Sequence, residues 1–331
     1  MKQPHHMTDI DDVSPTELRE ILSLSRAVRD AGRAPSLEGH SLGLLFEKPS
    51  TRTRVSFEAG MTQLGGHAIF LSPDDLQLGR GEPIADTARA LSGYLDVIAA
   101  RMTDHDGFLE LANHSSVPVI NALTDRAHPC QTLADLLTIE DHFGSLEGCK
   151  VAWVGDGNNV AQSFVIGAAM AGIEVSVATP PAYGIDAEVI ERAHAYGSTP
   201  SITDDPIQAV EDADFIYTDV WMSMGDGEQR ESKLPAFDGF QVNDSLLSHA
   251  PGHVSVMHCL PAVRGEEISS EVLDGEASLV WKQAENRMYA QQGLLTYLLN
   301  GTKDVSVGVD QSYQDSLQSI ECTGRGPMGS S

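Results

Sequence analysis

Four short stretches of this chain bring together side chains whose types and spacing suit chemistry. The first is Glu47-Lys48-Pro49-Ser50-Thr51-Arg52-Thr53-Arg54, which follows an apolar run and opens an amphipathic one. A helix start leaves backbone N–H groups unpaired and carries partial positive charge, so it attracts phosphate. Ser50 is placed as the N-cap, and the hydroxyls with the fork of Arg52 complete a site for a doubly charged phosphate. Taken alone, an ordinary capped helix with solvent-facing arginines explains the pattern equally well. The second stretch is His128-Pro129-Cys130-Gln131. Pro129 suits the first helical position, which sets His128 at or beside the cap, and Gln131 faces a similar side one turn on. Arg101, ending another apolar run, points to the same strand edge. Third comes Asp219-Val220-Trp221-Met222-Ser223-Met224-Gly225, where Asp219 is a natural partner for an ammonium group and Ser223 for a carboxylate. The fourth, His258-Cys259-Leu260-Pro261, offers a thiol as nucleophile or proton acceptor, although a strand-terminal Cys is often only a small buried hydrophobe.

These residues need elements to hold them. Apolar runs of strand length alternate with longer amphipathic stretches, the pattern of βα units around a parallel sheet. Strands are predicted at Ser41–Phe46, His67–Leu71, Val97–Arg101 and Val117–Leu123, with helices near Thr51–Leu64, Ile84–Leu95 and Pro129–His142. Gly65-Gly66 stops the first helix. After a short junction at Phe143–Gly148 a second series begins. It has strands at Lys150–Val154, Glu174–Ala178, Phe215–Thr218 and Val254–His258, and helices near Val160–Ala171 and Ala187–Tyr196. A long helix, Gln283–Leu299, ends at Asn300-Gly301. The expected fold is α/β, two doubly wound parallel-sheet domains spanning 1–143 and 144–301 with the active site in the cleft between them. Residues 302–331, Ser/Gly-rich, read as a poorly ordered tail.

The turn Trp153-Val154-Gly155-Asp156-Gly157-Asn158-Asn159-Val160 invites a dinucleotide reading. The third glycine of that fingerprint is missing, and the next strand ends Ala178-Thr179-Pro180 without an acidic residue for a ribose. Its two side-chain amides suit a carboxylate or an amine instead.

Composition narrows the partners. The chain has 331 residues, 41% of them hydrophobic, and a formal charge of −27. That charge repels nucleic acid and anionic membranes. No stretch approaches the roughly 20 apolar residues of a membrane span, and Met1-Lys2-Gln3-Pro4-His5-His6 lacks the apolar run of a secretory signal; a cytoplasmic protein is expected. Cys130, Cys149, Cys259 and Cys322 show no Cys-x-x-Cys pairing and read as free thiols, with no metal site. Acidic excess with only six Lys against fifteen Arg suits a chain kept hydrated in concentrated salt, where the Debye length shrinks to about 3 Å at 1 M.

Taken together and in order, Ser50–Arg54, His128–Gln131, Asp219–Gly225 and His258–Pro261 resemble the aspartate/ornithine carbamoyltransferases, over residues 8 to 301. The Ser-Met-Gly loop and the His-Cys-Leu-Pro stretch resemble the ornithine branch. The resemblance implies carbamoyl transfer from carbamoyl phosphate to L-ornithine, with no cofactor and no metal. It implies that Ser50, Thr51, Arg52 and Thr53 bind phosphate. Arg101, His128, Gln131, Cys259, the Leu260 carbonyl and Arg287 would surround the carbamoyl group. Asn159, Asp219, Ser223 and Met224 would bind ornithine, with Cys259 facing its side-chain amine as proton acceptor. Catalysis would fall to Cys259, Arg101, His128 and Arg52. Gln77 would reach a neighbouring subunit's site, implying a homotrimer or a multiple of one, and the final helix would return to the first domain. Residues 302–331 have no counterpart in the family. A transferase for another amine, such as putrescine or an acylated ornithine, is the near alternative; a nicotinamide-dependent dehydrogenase and a catalytically silent subunit are more distant ones.

If the acidic surface is an adaptation to salt, the thermal midpoint rises between dilute buffer and molar KCl. A midpoint and an activity that both ignore salt would overturn the halophilic reading.

Overall fold

The computed structural model describes residues 5–32, 36–72, 76, 81–222 and 230–300. Among the described residues nine strands form two parallel sheets. The first holds β1 (Ser41–Phe46), β2 (His67–Leu71), β3 (Val97–Arg101) and β4 (Val119–Leu123) in the order β2-β1-β3-β4. The second holds β5 (Lys150–Val154), β6 (Glu174–Ala178), β7 (Ser201–Thr203), β8 (Phe215–Thr218) and β9 (Ser255–His258) in the order β7-β6-β5-β8-β9. Central strands such as β3 and β8 are buried throughout, as expected where helices cover both faces of a parallel sheet.

Both sheets reverse their winding once, between β1 and β3 and between β5 and β8. At such a switch point the loops leaving the carboxyl ends of the strands diverge and open a crevice. Arg101 pairs in register with Phe46 at that end of the first sheet. β3 ends in Arg101, the chain leaving β1 and β4 leads to Ser50–Thr53 and His128, and the chain leaving β5, β8 and β9 leads to Asn158-Asn159, Asp219 and Cys259-Leu260.

The larger helices are α1 (Pro15–Ala31), α2 (Thr51–Gln63), α3 (Ile84–Ser92), α4 (His105–His114), α5 (Pro129–Phe143), α6 (Asn159–Ala171) and α7 (Ala187–Ala195). Four short ones follow: α8 (Pro206–Val210), α9 (Arg230–Lys233), α10 (Asp244–Leu247) and α11 (Ser270–Leu273). The last is α12 (Val280–Asn300). The predicted strands are all present, two of them shorter by one or two residues at the start. The last helix starts three residues earlier than predicted. The helices α1 and α4, the four short helices α8 to α11 and the strand β7 escaped the sequence reading. A signal for α1 was there, because Ser14 and Glu17 form a reciprocal capping box, Ser14 N–H donating to Glu17 at 2.7 Å and Glu17 N–H to Ser14 Oγ at 3.3 Å. At α4 the cap is one-way, Asp104 accepting the Asp106 and Gly107 amides.

The two sheets are bound together by helices. α12 packs on α1, α2 and α5, and α5 packs on α6 across the boundary. The N-terminal segment adds a stitch: Ser163 Oγ on α6 donates to Asp9 (3.0 Å) and accepts the His128 N–H (2.9 Å). Arg192 on α7 donates to Asp9 at 2.7 Å and to Asp11. These contacts reach the backbone of a predicted site residue.

Gly293 marks where α12 crosses α1 most closely. A Cβ there would lie 2.7 Å from the Ile21 carbonyl and 2.8 Å from the Ser25 amide, both backbone atoms. Alanine gains about 1 kcal/mol in helix propensity, but the overpacking costs about 1–3 kcal/mol or more, and with backbone on the far side sterics win. Gly293→Ala is expected to lower stability by about 1–2 kcal/mol in denaturant unfolding; an unchanged midpoint would show that the crossing relaxes freely.

Candidate active site

The crevice is one cavity of about 870 Å³, lined from both sheets and from α12. On the side of the first sheet stands the start of α2. Ser50 occupies the N-cap position, but its side chain caps no backbone N–H. Its Oγ donates to Thr53 Oγ1 at 3.0 Å instead. The first-turn amides of α2 are therefore not taken by a side-chain cap, and the partial positive charge of the helix start faces the cavity.

Arg101 and Arg287, both buried, approach the same place as Arg52. Burial, then the Arg287 and Arg52 charges, pull the Arg101 pKa down to about 10. Arg287 donates to Gln131 Oε1 (2.7 Å) and Thr53 Oγ1 (3.0 Å) and faces His128 Nε2 at 3.1 Å. A guanidinium only donates, so Nε2 accepts and the ring proton sits on Nδ1. Burial, together with Arg287 and Arg101, holds the His128 pKa well below its ordinary value, so the ring is neutral. Thr53 Oγ1 accepts from two donors, which leaves its own proton to give. Arg101 Nε, Arg287 Nε and His128 Nδ1 are buried without a hydrogen-bond partner. Like charges pressed together beside unsatisfied donors are destabilised, and a dianion among them relieves that cost.

The second sheet supplies the opposite wall. Asp219, 6% exposed, accepts from Cys259 Sγ at 2.9 Å and from Asn158 Nδ2 at 2.8 Å. Burial first, then the Asp219 charge, raise the Cys259 thiol well above its ordinary pKa, so the sulfur keeps its proton. Leu260 has φ of 60°, the left-handed region. Its N–H donates to His258 Nδ1 (2.9 Å), while His258 Nε2 meets buried Glu267 at 3.0 Å. Asp219, His258 and Cys259 place donor atoms within 4.8 Å of one another. Both histidine nitrogens and the thiol already have protein partners, so this set is satisfied by the chain itself.

The turn after β5 is built differently from the start of α2. Asn158 Oδ1 accepts from the Val160 and Ala161 amides, filling the helix start that a pyrophosphate would use. A Cβ at Gly157 would meet the Gly184 carbonyl oxygen at 2.5 Å. These glycines serve chain packing, which agrees with rejecting the dinucleotide reading. Asn159 donates to the Thr124 carbonyl at 2.6 Å, a bond between the two walls.

Ser50, Thr51, Arg52, Thr53, Arg101, His128, Gln131, Asn159, Asp219, Cys259, Leu260 and Arg287 all line this cavity. Gln77, Ser223 and Met224 lie outside the described residues. Asn158, one of the two amides singled out in its turn, grips the Asp219 carboxylate; the sequence reading missed Asp135 and the buried ion pair of Lys233 with Asp156 (2.7 Å). Asp135 carried a signal, since it stands one helical turn after Gln131 on the same face.

Two family models match the chain. The aspartate/ornithine carbamoyltransferase carbamoyl-P binding domain covers residues 5–141, and the Asp/Orn binding domain covers 147–298. An ornithine carbamoyltransferase of Haloquadratum walsbyi is 59% identical over 300 residues, 91% of this chain and 99% of the relative. One from Bacillus subtilis is 50% identical over 88% and 92%. Among solved structures, ornithine carbamoyltransferase from Pyrococcus furiosus superposes with a TM-score of 0.86 at 46% identity, covering 92% of this chain and all of that one. The Thermus thermophilus enzyme gives 0.83 at 43%, covering 89% and 99%.

The Cys259–Asp219 contact makes a chemical forecast. Asp219→Asn removes the charge that raises the thiol, so peptide-resolved alkylation of Cys259 by iodoacetamide at pH 8 speeds up. An unchanged rate would mean that burial alone protects the sulfur.

Proposed function

The chain belongs to the aspartate/ornithine carbamoyltransferase family, and from that premise we propose how its cleft performs the transfer. The reaction joins carbamoyl phosphate and L-ornithine into L-citrulline and phosphate. Attack of an amine on the carbonyl carbon makes three demands, and the two walls of the cavity offer a group for each.

Phosphate binds at Ser50, Thr51, Arg52 and Thr53, where an uncapped helix start adds its field to the arginine. The carbonyl oxygen gathers charge as the amine attacks. Thr53, Arg101 and neutral His128 donate to it, and donors set in place beforehand are worth roughly 10²–10³ in turnover each. Gln131, the Leu260 carbonyl and Arg287 hold the rest of the carbamoyl group. Phosphate then leaves against Arg52 and the start of α2.

The ornithine side-chain amine has a lysine-like pKa of about 10.4 in water and must lose a proton to attack. Asp219 attracts the ammonium. Cys259 was expected to take the proton, but its thiol is held protonated by burial and by Asp219. We therefore give the acceptor role to Asp219, with Cys259 fixing that carboxylate at 2.9 Å. Asn159 contributes its remaining amide oxygen, and Ser223 and Met224 the contact to the amino-acid end.

The same reading assigns 1–143 to carbamoyl phosphate and 144–301 to ornithine, with α12 returning to the first domain. The boundaries of the two family matches and the bonds from Arg287 to Thr53 and His128 support it. It also includes a cytoplasmic homotrimer, or a multiple of one, with Gln77 reaching the neighbouring site. Among the described residues no helix is long and apolar enough to cross a membrane.

The observation that carries this reading is the convergence of Arg52, Arg101 and Arg287, with no carboxylate among the described residues hydrogen-bonded to them, opposite the Asp219–Cys259 pair. The test is citrulline formation with ornithine, putrescine, N-acetylornithine or aspartate as acceptor, in dilute and in molar KCl. Turnover with ornithine alone supports it, and turnover with another amine overturns the roles of Asp219, Ser223 and Met224. Arg101→Gln is expected to lower kcat roughly 10²–10³-fold with the fold unchanged; a loss confined to KM would show that the guanidinium only binds.

A further inference from the structure

Below the cavity floor lies a fully buried carboxylate, Asp135 on α5. Its Oδ1 accepts from Gln131 Nε2 (2.8 Å) and Gln283 Nε2 (2.7 Å), and its Oδ2 accepts from the Tyr217 hydroxyl (2.9 Å). The donors come from three elements: α5 itself, α12 and β8 of the second sheet.

The far ends of the two glutamines matter most. Gln131 Oε1 receives Arg287 Nη1 at 2.7 Å. Gln283 Oε1 receives the His258 backbone N–H at 2.9 Å, one residue before Cys259. A carboxylate only accepts, and a guanidinium or a peptide N–H only donates. Each amide is thus caught between an acceptor and a donor, and just one orientation satisfies both. A glutamine turned by 180° would set its oxygen against the carboxylate and its NH₂ against a donor, leaving buried groups unpaired.

We propose that Asp135 is a positioning residue which, through Gln131 and Gln283, sets Arg287 on one wall of the cavity and the His258–Cys259 backbone on the other. Tyr217 makes the third arm, tying the carboxylate to the strand that ends beside Asp219. Burial pushes the Asp135 pKa up to about 7, against the pull of its three donors and Arg287. The bonds that orient the amides are those that oppose protonation of the carboxylate. This role rests on the carbamoyl-transfer reading of the cleft and says how its two halves are held in one geometry.

The test is steady-state kinetics of the full-length protein with carbamoyl phosphate and ornithine. The variants are Asp135→Asn, Gln131→Met, Gln283→Met and the Asp135→Asn/Gln131→Met pair, with thermal unfolding beside each. Asparagine keeps the size of Asp135 but presents an NH₂ to one set of donors, so kcat/KM is expected to fall for both substrates. Gln131→Met weighs on carbamoyl phosphate and kcat, and Gln283→Met on the KM for ornithine. Because Asp135 acts partly through Gln131, the paired variant falls short of the product of the single losses by about tenfold.

Losses that multiply, or Asp135→Asn with a lowered melting temperature but unchanged kcat and KM values, overturn the proposal. If Asp135→Asn does not fold, Gln283→Met decides. A rise confined to the ornithine KM supports the role, and no change, or an equal rise for both substrates, overturns it. A wild type unable to carbamoylate ornithine in the same assay would bring down the functional reading and this role with it. An active wild type matched by Asp135→Asn brings down the positioning role alone.

Discussion

Arg287 is buried inside the protein, and its hydrogen-bond partners among the described residues are the neutral groups of Thr53, Gln131 and His128. A buried cation is costly unless its surroundings are polar and fixed. Most of the architecture meets that condition. α12 carries the guanidinium from the end of the chain back onto α2 and α5, and the starts of those two helices supply its partners. Gln131 then needs Asp135 behind it, and Asp135 needs Tyr217 from the other sheet. One charge in one place thus demands contacts from elements spread over more than two hundred residues of sequence.

The charge pattern appears contradictory only at the level of the whole chain. A protein at −27 has a cavity on which three arginines converge. Field falls off within a Debye length for exposed charges, while buried charges are screened far less. Three arginines converging inside the cavity therefore outweigh an acidic surface screened by solvent ions. The opposite wall holds the complementary sign in Asp219.

Two helix starts face the same cavity with opposite chemistry. At α2 the cap residue turns its hydroxyl toward Thr53 and leaves the backbone amides to a ligand. At α6 Asn158 takes those amides for itself and turns its remaining donor to Asp219. The sequences Ser50-Thr51-Arg52-Thr53 and Asn158-Asn159-Val160 both read as capped helix starts. Which cap bonds its own helix depends on neighbours distant in the chain: Arg287 donates to Thr53 in the first case, and Asp219 accepts from Asn158 in the second.

Strand positions, the switch-edge loops and most cavity residues were legible from local pattern, because βα periodicity, helix-start chemistry and glycine stops are written in neighbouring residues. α1 and α4 escaped despite their caps, since the reading weighed apolar runs more heavily than Ser14-Glu17 and Asp104. By itself the sequence determined which groups reach the carboxyl ends of the strands, since each follows its own strand directly. Tertiary structure alone decided their protonation and orientation. The neutral ring of His128, the protonated thiol of Cys259 and the fixed amides of Gln131 and Gln283 follow from burial and from partners such as Arg287, Asp219 and Asp135. Those partners meet only when two sheets and a returning helix are folded together, because dielectric and hydrogen-bond geometry are properties of a packed neighbourhood and not of a stretch of chain.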